Sequence, residues 1–285
     1  MLLSMTGYGK SIIQLPTKKV TVEFRTLNSK NLDLNVRIPS QYKEKELLIR
    51  KLIAKELVRG KVDFSIYVEF TAEETSSEIN TSVVNQYLGQ LSQIEGSQNS
   101  DLIAIAMRLP DALKTTREEL NENEWKQIEE GVQKAIDELQ SYRLDEGKSM
   151  QEDLRQNILN IESLKQAVQD LSAERMIQVK KRLKNALNEL EVNVDENRFE
   201  QELIYYLEKL DINEEMVRLD NHLKYFHQEL ESKVSNGKKL GFIAQEIGRE
   251  INTTGSKSNY APMQHVVVKM KNELEKIKEQ VLNIL

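Results

Sequence analysis

The stretch VTVEFRT at residues 20–26 places Val20, Val22, Phe24 and Thr26 on one face of an extended chain. Residues 32–38 and 62–70 repeat this alternation, which is typical of strands with one buried face. Between them, residues 41–59 carry leucine and isoleucine at helical spacing, and Gly60 is expected to cap that helix. With a further strand at the glycine-containing N-terminus, the pattern predicts strand, strand, strand, helix, strand in a mostly antiparallel sheet.

The rest of the chain is expected to be helical. Residues 148–236 contain neither glycine nor proline, and apolar side chains from Leu154 to Leu190 recur three and four residues apart, as in a long amphipathic helix. We also expect helices at residues 81–94, 101–107, 124–143 and 198–234, with breaks at 72–77, 96–100, 192–197 and 237–241. The predicted fold class is therefore α+β. Its expected regions are a sheet-containing region at 1–70, a helical connection at 71–147, a long helical arm at 148–197 and a C-terminal helical region at 198–285.

Composition limits the kinds of protein that this chain can be. It has 285 residues and no cysteine, which excludes disulfides, thiolate metal sites and a cysteine nucleophile. No apolar run approaches the roughly 18 residues that a membrane-spanning helix needs, and no secretion signal is apparent, so a cytoplasmic location is expected. The glycines near the N-terminus do not form a dinucleotide fingerprint, so no small-molecule cofactor is expected.

The charge is unevenly distributed along the chain. The net charge is −6, made up of +6 in residues 1–70, −15 in residues 71–236 and +3 in residues 237–285. A basic surface where the two ends meet would bind phosphate, while the acidic middle would limit non-specific binding. Alternatively, the basic ends dock against the acidic middle of the same chain.

The first candidate site lies in the segment DINEEMVRLDNH at residues 211–222. Asp211, Glu215, Arg218 and His222 are spaced by four, three and four residues, so a helix would place them on one face. Two carboxylates, a guanidinium and an imidazole on one face can bind a divalent metal, hold a phosphate and move a proton. The alternative is a solvated face crossed by Glu–Arg ion pairs.

The second candidate site is QEIGREINTTGSK at residues 245–257. Glu246 and Glu250 are one helical turn apart, with Arg249 beside them. Residues 253–257 are rich in hydrogen-bond donors and are expected to form a flexible turn that wraps a phosphate, with Lys257 as a point charge. The alternative is a polar helix, glycine turn and helix without a ligand.

The chain resembles the YicC/YloC endoribonuclease family along its whole length. The resemblance rests on SMTGYG at residues 4–9, NSKNLD at 28–33, RGKVD at 59–63, the two candidate segments, and ELEKIKEQV at 273–281. The chain departs from the family pattern at Gly248 and at residues 258–262, where two acidic residues are missing, so this segment is not counted among the metal ligands. The resemblance implies endoribonuclease activity that depends on a divalent metal, with manganese favoured over magnesium. It also implies a homo-oligomer, expected to be a hexamer, whose helical arms clamp RNA.

These observations lead to a set of candidate roles. Glu246 and Glu250, with Asp211 or Glu215, are expected to hold the metal. Arg249 is expected to hold phosphate oxygens, and His222 to protonate the leaving oxygen. A metal-free route with attack by the 2′-hydroxyl, and His222 as acid or base, stays open. The expected RNA contacts are Arg25, Asn28, Lys30, Lys61, Arg218 and Lys257. The alternatives to an enzyme are a non-catalytic adaptor that presents RNA to another nuclease and a purely structural helical scaffold.

Overall fold

The computed structural model describes residues 1–71, 78–94, 101–114, 121–189 and 196–285. The expected breaks at residues 72–77 and 96–100 lie outside these residues, and so does most of the break at 192–197. The strands are β1 Gly7–Gln14, β2 Lys18–Leu27, β3 Leu32–Arg37, β4 Gly60–Phe70, β5 Glu78–Ile79 and β6 Leu113–Lys114. The helices are α1 Glu46–Glu56, α2 Thr81–Leu91, α3 Leu102–Ala106, α4 Glu122–Glu189, α5 Glu196–Lys209, α6 Asn213–Leu230, α7 Gly237–Lys257 and α8 Ala261–Val281.

The α+β fold class is confirmed, and the first elements follow the predicted order. Four strands form one sheet in the order β1-β2-β4-β3. Three residues join β1 to β2, a connection short enough only for antiparallel neighbours, whereas β3 pairs parallel with β4 across the intervening α1. The sheet is therefore mixed, and the parallel pairing of β3 with β4 results from the helical crossover.

The alternating residues of the sheet do form a buried face. Val20, Val22 and Phe24 of β2 pack with Val62 and other residues of β4 against α1 and the first part of α4. The prediction that Gly60 caps α1 is wrong. Helix α1 ends at Glu56, and Gly60 begins β4 with a φ of 120°, a conformation that glycine adopts without strain.

Helix α4 is longer than the sequence pattern indicated. It runs without interruption for 68 residues, so the boundary expected between a helix at 124–143 and an arm from 148 is not a helix end. Gly147 lies inside α4, where an added Cβ would stand 2.2 Å from the carbonyl oxygen of Leu2. This glycine therefore serves the close approach of the N-terminal backbone, and the local sequence gives no sign of that contact.

The C-terminal half contains two further differences from expectation. The helix expected at 198–234 is divided into α5 and α6 around Leu210, and no loop lies at 237–241, because α7 begins at Gly237. The side chain of Asn236 accepts a hydrogen bond from the Lys239 backbone and caps α7. Residues 253–257 are the last turn of α7, so the expected flexible phosphate-binding turn is wrong.

Contacts between residues divide the chain into two compact units. The sheet unit consists of Tyr8–Thr26 and Asn31–Leu139, and the helical unit consists of Met1–Gly7, Leu27–Lys30 and Gln140–Leu285. The helical unit has a core of its own, built from apolar residues of α4, α6, α7 and α8. None of the described helices is both long and apolar enough to cross a membrane.

Candidate functional site

Lys257 connects the two candidate segments in the helical unit. Its Nζ lies 2.8 Å from Oε1 of Glu215 and 2.8 Å from the backbone oxygen of Asp211. The Glu215 side chain is 8% exposed and that of Lys257 is 29% exposed, so the pair is largely removed from water. We call Asp211, Glu215 and Lys257 the hairpin cluster, because they join the start of α6 to the end of α7.

The predicted face of Asp211, Glu215, Arg218 and His222 does not form a common site. Asp211 precedes α6, and its carboxylate accepts a hydrogen bond from the backbone of Asn213. Arg218 is exposed and pairs with Glu214 one turn earlier. The side chain of His222 is half-buried and forms neither a hydrogen bond nor an ion pair with any described residue. The spacing was right for a helix, but the helix begins two residues after Asp211.

The two carboxylates of α7 also lie in different surroundings. Glu246 pairs with Arg249, whose Nη1 lies 2.9 Å from its Oε1, and Arg249 is 74% exposed. Glu250 instead belongs to the buried face of α7, together with Ile247 and Ile251. The helix therefore directs Glu250 toward the packing interface and leaves Arg249 facing solvent.

The four predicted metal ligands are not arranged for a single divalent ion. Glu215 binds the ammonium of Lys257 and Glu246 binds the guanidinium of Arg249, so two of the four carboxylates already contact a cation. One oxygen is left over, because Oε2 of Glu215 is buried without a hydrogen-bond partner among the described residues. Among the residues that the structure describes, no three histidine, cysteine or acidic side chains form a group able to hold a metal. These residues do not fit the ion as they stand, and the metal requirement stays a prediction.

The expected RNA contacts outside these helices have different surroundings. In the sheet unit, Arg25 binds Glu23 at 2.6 Å, and this hydrogen bond raises the pKa of Arg25, while Lys61 is exposed on β4. In the helical unit, Lys30 is exposed and the amide of Asn28 donates to the backbone oxygen of Leu282 at 2.8 Å. The Asn28 amide therefore already contacts residues near the C-terminus.

A basic pocket in the helical unit was missed by the sequence analysis. It is a cavity of about 570 Å³ between the last part of α4 and the residues that join α7 to α8. We call it the α4 pocket. Its lining includes three cations, three amides and an aromatic ring: Arg175, Lys181, Arg182, Gln178, Asn185, Asn259 and Tyr260. None of the described residues that line it is acidic.

The sequence does contain a signal for this pocket. Residues 174–186 have five lysine or arginine residues and one acidic residue, although they lie in the acidic middle of the chain. The apolar stripe of Val179 and Leu183 indicated only a helix, and the charge of this short run is hidden when it is averaged with that of its neighbours. Lys180, Lys181, Arg182 and Lys184 are all exposed, and none forms an ion pair with a described residue.

Comparisons with known proteins point to one family for both halves of the chain. Residues 2–152 match the family described as "Endoribonuclease YicC-like, N-terminal region", and residues 166–285 match "Endoribonuclease YicC-like, C-terminal". The chain therefore belongs to the YicC-like endoribonuclease family, which confirms the resemblance noted in its motifs. It is 31% identical to the probable endoribonuclease YicC of Clostridioides difficile strain 630, over the full length of both chains. It is 26% identical to the probable endoribonuclease YicC of Haemophilus influenzae, again over the full length of both.

Proposed function

We propose that this chain is an endoribonuclease that cleaves phosphodiester bonds in RNA. The observation that carries the proposal is the run of four exposed cations on α4, at residues 180–184, with which no described carboxylate pairs. Exposed cations that no neighbouring carboxylate neutralises attract a polyanion and release its counterions. The full-length similarity to two proteins named as probable endoribonucleases supports cleavage, in addition to binding.

The proposed chemistry uses groups of α6 and α7. His222 has no partner among the described residues, so its imidazole is free to give a proton to the leaving 5′-oxygen or to take one from an attacking 2′-hydroxyl. Arg249 is exposed and able to contact a phosphate oxygen. The dependence on Mn²⁺ or Mg²⁺ stays a prediction; Glu246 and Glu250 are the ligands that it names, and Glu246 would have to leave Arg249 to hold an ion. A cytoplasmic location also stays a prediction.

Assembly is part of the same proposal. Helix α5 leaves Ile204, Tyr205 and Tyr206 between 38% and 65% exposed, and such a surface is stabilised by burial against another chain. We propose that copies of this chain form a homo-oligomer, with a hexamer as the expected size, which clamps RNA. Its mass in solution would then be a multiple of 33.0 kDa.

Cleavage assays on matched variants test the proposed function. Purified protein is incubated with labelled structured and unstructured RNA, with manganese, with magnesium and with chelator. Glu246→Gln and Glu250→Gln each keep the side-chain volume but remove an anionic ligand, so we expect cleavage to fall by about 10²-fold or more with RNA affinity retained. Glu275→Gln is the control, because Glu275 forms the same kind of i,i+3 pair with Lys278 on α8.

The outcomes separate two functions. If both Glu variants cleave like the wild type, the metal assignment on α7 is wrong. If the wild type binds RNA but cleaves none under any condition, the chain is an adaptor that presents RNA to another nuclease. One observation favours this second function, since Glu215 and Glu246 are held in ion pairs and could serve only to stabilise the fold.

A further inference from the structure

Arg175, at the inner side of the α4 pocket, is an unusual group for a protein interior. The residue is 2% exposed, and no carboxylate forms an ion pair with it among the described residues. Its Nη1 donates to the backbone oxygen of Lys257 at 3.1 Å and its Nη2 to that of Leu210 at 2.8 Å. Its Nε is buried, with no hydrogen-bond partner in the described part of the chain. A buried cation in such surroundings is costly unless negative charge lies close by.

The surroundings offset only part of this positive charge. Lys257 and Leu210 stand at the C-terminal ends of α7 and α5, where each helix terminus carries about half a negative charge. Burial is the largest influence on the guanidinium and lowers the pKa of Arg175, against a smaller, opposite effect of Asp211. Lys181 and Arg182 add two further positive charges to the same pocket. The neighbouring acid in sequence, Glu174, accepts a hydrogen bond from the hydroxyl of Tyr260 at 2.9 Å.

We infer that the α4 pocket is a binding site for a phosphate group, and that the phosphate belongs to an RNA strand. Lys181 and Arg182 reach the anion directly, and Arg175 contributes its charge from the inner side of the pocket. This inference deepens the proposed function and rests on it for the choice of RNA.

Three features favour an RNA phosphate over a free phosphate ion. Further cations of α4 lie next to the pocket without lining it, at Lys180 and Lys184, which suits a polyanion longer than a single phosphate. The amides of Gln178, Asn185 and Asn259 offer both donors and acceptors for base edges or a 2′-hydroxyl. The ring of Tyr260 supplies a flat surface of the kind on which unpaired bases stack.

Two double variants, each of which removes two positive charges from α4, test the inference. Lys181→Ala with Arg182→Ala removes two cations that line the pocket, whereas Lys180→Ala with Lys184→Ala removes two cations of the same helix that do not line it. All four side chains are exposed, so both variants are expected to fold, which substitution of the buried Arg175 would not guarantee. The affinity of the full-length protein for a labelled single-stranded RNA is measured by fluorescence anisotropy with chelator present. A second titration adds inorganic phosphate, with chloride at equal ionic strength as its control.

We expect the pocket variant to bind RNA on the order of tenfold more weakly, and the control variant, whose two lysines contact the strand outside the pocket, only about threefold more weakly. Inorganic phosphate should displace RNA from the wild type more than chloride does, and this difference should disappear in the pocket variant. Equal reductions of affinity in the two variants would overturn the inference in favour of a diffuse basic surface. If the pocket variant no longer binds inorganic phosphate but keeps its full RNA affinity, the pocket is a site for free phosphate and its assignment to RNA is overturned.

The same variants distinguish this inference from the proposed function. If the wild type never cleaves RNA but the pocket variant alone binds RNA more weakly, the nuclease proposal fails and the phosphate site stands. If the wild type cleaves RNA and the pocket variant binds and cleaves normally, the phosphate site fails and the nuclease proposal stands.

Discussion

The hairpin cluster and the α4 pocket lie in the same helical unit and differ in how their charges are used. In the hairpin cluster, the cation Lys257 contacts Glu215 and the backbone of Asp211. On α4, Lys181 and Arg182 contact no carboxylate of the described chain. Opposite charges in contact neutralise each other, whereas like charges in one run stay available to a ligand. For a nucleic-acid ligand, the unpaired run is therefore the better indicator of a binding surface.

The largest effect that we expect is on the stability of the hairpin cluster. Lys257→Met keeps the side-chain length but leaves the carboxylate of Glu215 buried without a cation. We expect the free energy of unfolding in urea to fall by about 3 kcal/mol, at the lower end of the range for broken buried pairs because Lys257 is partly exposed. Adding Glu215→Gln should recover much of this stability.

A matched exposed pair serves as the control. Arg218 and Glu214 are 58% and 65% exposed, so Arg218→Met should cost about 0.5 kcal/mol. Equal destabilisation by Lys257→Met and Arg218→Met would mean that Lys257 does not stabilise the fold. Its ammonium would then be as available to RNA as the lysines of α4.

A smaller effect concerns stability in acid and involves Asp220 of α6, which contacts two lysines. Hydrogen bonds from Lys165 on α4 and from Lys224 hold the pKa of Asp220 below its ordinary value of 3.8. A lowered folded-state pKa stabilises the protein above the unfolded value, and this contribution disappears as the pH falls through the folded value. Asp220→Asn should therefore lower the melting temperature at pH 7, and its difference from the wild type should shrink below about pH 4. A difference that stays constant down to about pH 3 would show that the ionised form of Asp220 does not matter.

The sequence predicted the sheet well because its evidence is local. Val20, Val22 and Phe24 must share a face of any extended strand, and the structure buries that face. Helix ends were less predictable, because a glycine that looks like a helix end in the sequence can be required by a contact with a distant segment. Gly147 accommodates the backbone of Leu2, which is far away in sequence, and Gly60 belongs to a strand instead of a helix cap.

The candidate site was predictable only in part, for a related reason. Spacing correctly placed Glu215 on a helix, but it could not show that Glu215 binds Lys257, which was expected in a flexible turn. The α4 pocket needs residues from two distant segments, since Asn259 and Tyr260 complete a surface that begins at Arg175. The cation run itself is visible in the sequence, and a charge count over a shorter window finds it.

The central claim is that the unpaired cations of α4 bind RNA. The salt dependence of RNA binding tests this claim most directly. The affinity for single-stranded RNA is measured over a range of salt concentrations for the wild type and two variants. One variant replaces Lys180, Lys181, Arg182 and Lys184 with alanine, and the other replaces Lys30, Lys61 and Lys257. The slope of log affinity against log salt falls by about 0.7 for each phosphate of a single strand that the protein no longer neutralises. We predict a slope reduced by about two units or more in the α4 variant and by less in the other, in which Lys257 is already paired with Glu215. An unchanged slope in the α4 variant, with the reduction in the other variant, would contradict the account.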